Sequence, residues 1–159
     1  MKNILKRSSI GYVVVALAIV ILGGCSSNLW DEMPSPISSF ISQYFPGQSL
    51  SGFSDTPDGG HRVDLTNGAS VTFDINDSWT ILDGNGKTLP EVAIYDLLPP
   101  ALYEYLEEMG ATDGVYKMSR TSSVYIVTLV DTYLTYDVDS GAINYPTASG
   151  ASSKSASGF

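Results

Sequence analysis

The sequence predicts an α+β fold: two tandem α-β repeats, each a helix plus antiparallel strands, forming one curved antiparallel sheet with the helices on one face. Three observations predict it. Two short segments opened by proline carry apolar residues at the same helical offsets. Four runs alternate apolar and polar residues with period two, a pair of runs after each helix. The strands of the second half match those of the first in pattern, so a helix followed by antiparallel strands occurs twice. Neither half is able to cover its own sheet, and a shared sheet over a shared core is the economical architecture.

Taken in order, Met1 to Arg7 is a short basic region, and Ile10 to Leu22 is an apolar stretch ending in Gly23 and Gly24. That is the plan of a secretory signal. The apolar run is shorter than the roughly 20 residues a spanning helix needs, and Ser26, Ser27 and Asn28 follow at once. Leu22-Gly23-Gly24-Cys25 resembles the bacterial lipobox, in which small residues expose the cleavage site and the cysteine thiol accepts a diacylglyceryl group. The resemblance implies a signal peptide over 1–24 and a lipidated Cys25 as the link to the membrane. Each buried methylene of such an anchor contributes about 0.8 kcal/mol, and several chains together hold firmly. Ser26 resembles the outer-membrane side of the sorting pattern of enteric bacteria. Residues 25–33 then read as a lipidated tether.

The first repeat is expected over 34–88. Pro34 to Ile41 carries Ile37, Phe40 and Ile41 on one helical face. His61 to Leu65 and Ala69 to Ile75 alternate as strands, and Asn67-Gly68 between them is a two-residue type I′ hairpin signal, because Asn and Gly tolerate the positive φ that both central positions need. The second repeat is expected over 89–146. Pro99 to Leu106 repeats the helical pattern with Leu102, Tyr105 and Leu106, and Val124 to Val130 and Tyr133 to Val138 supply its strands. Val63 and Leu65 correspond to Val127 and Leu129, and Val71 to Ile75 corresponds to Leu134 to Val138. The low-complexity tail, 147–159, lacks the apolar area to offset its ordering entropy and is expected to be disordered.

Charge narrows the partners. The chain has 8 Lys and Arg against 17 Asp and Glu; Lys2, Lys6 and Arg7 lie in the signal, so the remainder has five bases against seventeen acids, a formal charge of -12. Such a field repels phosphate backbones, which argues against nucleic acid and leaves a covalent lipid as the route to a membrane. Cys25 is the one cysteine, so no intramolecular disulfide forms, and the single histidine, His61, removes most transition-metal sites.

Met33-Pro34, the helix ending in Phe40-Ile-Ser-Gln-Tyr-Phe-Pro-Gly47, the Asn67-Gly68 hairpin, Phe73-Asp74 leading to Trp79, and Leu89-Pro90 and Leu98-Pro99 before the second helix resemble the PepSY-like, or β-lactamase-inhibitor-like, envelope proteins of Gram-negative bacteria. The resemblance spans Met33 to Tyr145. It implies a fold similar to a secreted β-lactamase inhibitor built from two α-β repeats, and it implies shape more than activity. The second repeat departs from the pattern at Glu108-Met-Gly-Ala-Thr-Asp-Gly114, and no contact residue of the inhibitor maps onto this chain.

No set of residues dictates a reaction. Glu104, Glu107 and Glu108 fall together on the second helix, but they alternate with Tyr103, Tyr105 and Leu106 as a solvated face does. His61 occupies an inward-phased strand position away from any serine or acid triplet. Asp83-Gly-Asn-Gly-Lys87 and Asp137-Val-Asp-Ser-Gly141 open like calcium loops, yet Ile94 and Ala148 stand where a closing glutamate is needed, so plain turns are expected. The strand phases single out a surface instead. With Val63, Leu65, Val127 and Leu129 facing the helices, the opposite face shows Arg62, Asp64 and Thr66 in the first repeat but Ile126, Thr128 and Val130 in the second. Tyr133 and Thr135 join it from one neighbouring strand, Tyr116 or Met118 from the other, and Trp79 from the end of the first repeat. Aromatic residues on an open sheet are common in protein-docking surfaces.

The sequence therefore leads to a non-catalytic, lipid-anchored module of the cell envelope, at the outer membrane and facing the periplasm or the surface. It would bind or inhibit an envelope protein through Trp79, Tyr116, Met118, Ile126, Thr128 and Tyr133, without cofactor, metal or nucleic acid. The alternative is a small-ligand or cation-binding envelope lipoprotein that uses the acidic loops.

Overall fold

The computed structural model describes residues 28–146. The expected signal peptide 1–24, the expected lipidation site Cys25 and the tail 147–159 lie outside them. The elements are α1 (Leu29–Glu32), α2 (Ser35–Tyr44), β1 (Leu50–Asp55), β2 (His61–Leu65), β3 (Ser70–Phe73), β4 (Trp79–Asp83), α3 (Glu91–Leu97), α4 (Pro100–Glu108), a 3₁₀ turn (Thr112–Gly114), β5 (Lys117–Arg120), β6 (Val124–Thr128), β7 (Tyr133–Asp137) and β8 (Ile143–Asn144). All eight strands form one antiparallel sheet in chain order, and β4 pairs with β5 so that Leu82 faces Met118 across the seam between the repeats. The architecture is the expected α+β sheet with helices on one face.

The repeat offsets survive in the core. Ile37 and Ile41 of α2 and Leu102 and Leu106 of α4 are fully buried, while Phe40 and Tyr105 at the matching offset are half-buried. Each fully buried side chain of this kind contributes roughly 2 kcal/mol against exposure. They pack on the inward residues of the sheet: Val63, Val71, Phe73, Leu82, Met118, Val127 and Leu134. Phe40 meets Phe73 edge-on at 5.3 Å. Proline at the N-cap of α2, α3 and α4 starts each helix in an extended conformation.

Several expectations shift. The β2–β3 hairpin is centred on Asn67: Val63 faces Val71 and Asp64 faces Ser70. Gly68 has φ +95° while Asn67 has no positive φ, Gly68 N–H donates to Leu65 O at 2.9 Å, and Leu65 N–H donates to Ala69 O at 2.8 Å. This is a three-residue loop with a glycine bulge, not a two-residue type I′ turn. The core explains the choice, because a two-residue loop would set Val63 opposite Thr72 and mismatch the buried faces. The strand expected to reach Ile75 stops at Phe73, since the Asp74 carboxylate accepts from Asn76 N–H (2.8 Å) and Ser78 N–H (3.0 Å) and turns the chain, leaving Ile75 72% exposed.

The divergent passage after α4 is a Schellman end. Gly110 has φ +61°, Ala111 N–H donates to Leu106 O (2.8 Å) and Gly110 N–H to Glu107 O (2.9 Å). Part of the segment expected as a tether belongs to the domain, because Met33 is buried and Trp30 packs against the core from α1. At the other end Tyr145 accepts or donates a 2.5 Å bond with the Tyr105 hydroxyl, fixing the chain after β8 to α4. Burial, then Tyr105, pushes the Tyr145 hydroxyl up to about 12.

Candidate functional site

The outer face of the sheet is built by register. One cross-strand row runs Arg62, Thr72, Ile81, Ser119, Ile126, Thr135; the next runs Asp64, Ser70, Asp83, Lys117, Thr128, Tyr133. In the first row Ser119 is the small residue between Ile81 and Ile126, and a mainly apolar groove of about 300 Å³ lies there, lined also by Val124, Thr80 and Arg120. Ile126 is 37% exposed and Tyr133 is 44% exposed. Among the described residues the buried cluster gathers on the opposite, helix-covered face. Charge ties the rows: Lys117 Nζ lies 2.9 Å from Asp83 Oδ2 within the second, and Arg62 Nη2 of the first lies 2.9 Å from Asp64 Oδ1 of the second.

Three of the six residues expected on this face are there: Ile126, Thr128 and Tyr133. Trp79 is not. A bulge between β3 and β4 sets Trp79 opposite Phe73, which turns the indole to the core side and leaves it 7% exposed. Arg120 caps it, with its guanidinium carbon 4.8 Å from the ring centroid and Nε donating to Trp79 O at 2.8 Å. Met118 is also a correction, because it is fully buried between Leu82 and Val127, and β5 shows Lys117 and Ser119 outward instead. Tyr116 is half-buried just before β5, next to the fully buried Val115, and belongs to neither outward row. Val130 is exposed, but in the β6–β7 turn, beyond the sheet. Ile81 and Ser119 escaped sequence reasoning because the bulge breaks the period-two signal in β4, and Lys-Met-Ser-Arg has too little alternation to fix its phase.

The remaining polar candidates hold local structure. His61 stacks on Phe53 at 5.2 Å, and its Nδ1 is 3.0 Å from Asp55 Oδ1. In the two acidic loops, Asp83 Oδ1 accepts from Asn85 N–H (2.8 Å), and Asp137 Oδ1 accepts from Ser140 N–H (2.8 Å) and Oγ (2.7 Å), as turn-forming aspartates do. Among the described residues no group of three or more His, Cys, Asp or Glu side chains converges, and no helix is long and apolar enough to cross a membrane.

Burial opposes ionisation of Asp83, but the Lys117 ammonium and the Asn85 amide outweigh it, and the carboxyl titrates below its ordinary value. A depressed carboxyl stabilises the fold above the unfolded carboxylate pKa, near 4, and loses that contribution as pH falls through the folded value. Chemical denaturation from pH 6 to 3 should therefore show the wild type losing more stability than Asp83→Asn; parallel pH profiles would mean the pair contributes nothing.

Comparison with solved structures agrees with the fold. A candidate calcium-regulated periplasmic protein of Bacteroides thetaiotaomicron is similar at 26% identity and TM-score 0.60, over 72% of this chain and 92% of that one. A candidate periplasmic protein of the DUF2874 family from Bacteroides vulgatus is similar at 23% identity and TM-score 0.58, over 73% and 89%. A further candidate periplasmic protein of unknown function from the same organism shares 17% identity at TM-score 0.60, over 72% and 92%. All three are described as periplasmic. No protein-family model matches the chain, and no curated protein matches it.

Proposed function

We propose that the chain is a lipid-anchored, non-catalytic module of the cell envelope, of PepSY-like type, that binds or inhibits an envelope protein through the outer face of its sheet. The observation that carries this reading is the groove between Ile81 and Ile126, with the exposed Tyr133 in the adjacent cross-strand row of the same face. Three branched aliphatic side chains, Ile81, Val124 and Ile126, around a shallow dip with an exposed tyrosine in the next row are the kind of surface that contributes most to binding when water is excluded around it. The flanking Lys117–Asp83 and Arg62–Asp64 pairs would form the polar rim. The lipobox-like Leu22-Gly23-Gly24-Cys25 and the periplasmic description of the similar structures support the envelope location. A non-catalytic role is supported by the turn and strand-end roles of Asp74, Asp83, Asp137 and His61.

An Ile126→Asp, Tyr133→Ala double variant tests it. Co-purification from the native envelope should recover with the wild type a protein that the variant loses, with unfolding midpoints unchanged. Equal recovery by both would remove the sheet face from the account.

A second reading, a cation-binding envelope protein, is favoured by one observation: a structure similar at 26% identity is described as a candidate calcium-regulated protein. Asp83 and Asp137 would be the donors, and calorimetry with millimolar calcium decides, a flat trace ending that reading.

A further inference from the structure

The helix layer carries a second concavity with different chemistry. Between α3 and α4 lies a cleft of about 500 Å³ whose base includes the buried Leu98, with Tyr95 and Tyr103 as walls and Asp96, Glu104 and Glu107 around them. Tyr95 and Tyr103 meet edge to face, at 5.0 Å and 89°, and Tyr95 is 64% exposed. In such a pair the edge of one ring covers one face of the other; the remaining faces carry negative quadrupole potential, and both residues line the cleft. Glu91 approaches the same two rings from a smaller concavity of about 300 Å³ on their other side. Burial, then Glu107 and Glu91, raises the Tyr103 hydroxyl above its ordinary value, as expected of a ring in a negative field.

Charge is partitioned across the molecule. Residues 91–108 hold Glu91, Asp96, Glu104, Glu107 and Glu108 and no Lys or Arg, whereas Arg62, Lys87, Lys117 and Arg120 all belong to strands or strand turns. Among the described residues none of the cleft's carboxylates is ion-paired; the four ion pairs involve Asp55, Asp64, Asp77 and Asp83. Calcium would seek six to eight oxygens, and here aromatic walls and an apolar base take their place. An apolar base, aromatic walls and carboxylates suit a weakly hydrated cation on an alkyl stem.

We infer that the α3–α4 cleft binds an alkylammonium or guanidinium group, the chemistry of a lysine or arginine side chain. This goes beyond the sheet-face reading and does not depend on it, because neither Ile126 nor Tyr133 takes part. The test is a titration of the full chain, with labelled tyrosine rings followed by NMR, against N-acetyl-lysine methylamide, N-acetyl-arginine methylamide and the neutral N-acetyl-norleucine methylamide. The Tyr95 and Tyr103 resonances should shift saturably with the two cations, with Kd on the order of 1 mM, and at least about fivefold more weakly with norleucine. Tyr95→Leu, and separately Glu104→Gln with Glu107→Gln, should weaken the cations by about fivefold or more, while Ile126→Asp leaves them unchanged. A lysine-bearing peptide held more tightly than n-butylammonium would assign the cation to a protein side chain, and equal affinities to a free amine. Equal binding of norleucine, or shifts that Tyr95→Leu does not alter, would overturn the inference.

Discussion

Met118→Ala should lower the free energy of unfolding by about 3 kcal/mol, whereas Ile126→Ala should lower it by only about 1 kcal/mol. Both are apolar residues on adjacent strands, yet the pleat sends them to opposite faces. Met118 is fully buried, paired across the ladder with Leu82 and Val127, and removing its side chain leaves a cavity that the sheet and helices close only in part. Ile126 points to the open face, where water fills the space its side chain vacates. Urea midpoints at constant slope read the difference. Similar losses for the two variants would mean that the phase of β5 and β6, and with it the site, is wrong.

Gly84→Ala should be nearly as damaging, at about 3 kcal/mol, and for a different reason. A Cβ at position 84 would lie 1.9 Å from Lys87 O and 3.1 Å from Tyr116 O, both backbone atoms. Gly84 N–H donates to Tyr116 O at 2.8 Å, and Lys87 N–H donates back to Gly84 O at 3.1 Å. Relief of the clash must open the turn or the β4–β5 ladder, the seam that makes one sheet of two repeats. Gly86→Ala, two residues on with open space around it, should lose only the 1 to 2 kcal/mol of its positive φ. Thermal unfolding of the pair, with amide exchange over Leu82 and Met118, distinguishes a clash at the seam from a general intolerance of this turn.

Much of the fold was legible because burial repeats. Ile37, Ile41, Leu102 and Leu106 share one helical spacing and one fate, and Val63, Val71, Val127 and Leu134 declare the inner face by period two. Where that signal fails, so did inference. β1 and β8 are edge strands with mixed sequences, Leu50 to Asp55 and Ile143-Asn144, which lack the alternation of a half-buried strand. In α3 only seven residues are helical, too few for the spacing of Ala93 and Ile94 to stand out. The site suffered most from one bulged residue. Thr80 sits between Ile81, which faces outward, and Trp79, which the bulge returns to the core, so the most conspicuous aromatic near the face proved to be its interior support. The Asn67-Gly68 signal located a hairpin correctly but not its register, which the buried valines chose.

The proposed function follows from one asymmetry. Helices and aromatic residues cover one side of the sheet, and the other side keeps a shallow apolar groove with charged neighbours. A photo-crosslinking residue placed at position 126 of the full chain in its native envelope tests that most directly, against the same residue at the exposed Ser39 of α2. The account predicts a discrete protein adduct from position 126, absent from position 39 and lost when Tyr133 is replaced by alanine. No adduct from position 126, or the same adduct from both positions, would contradict it.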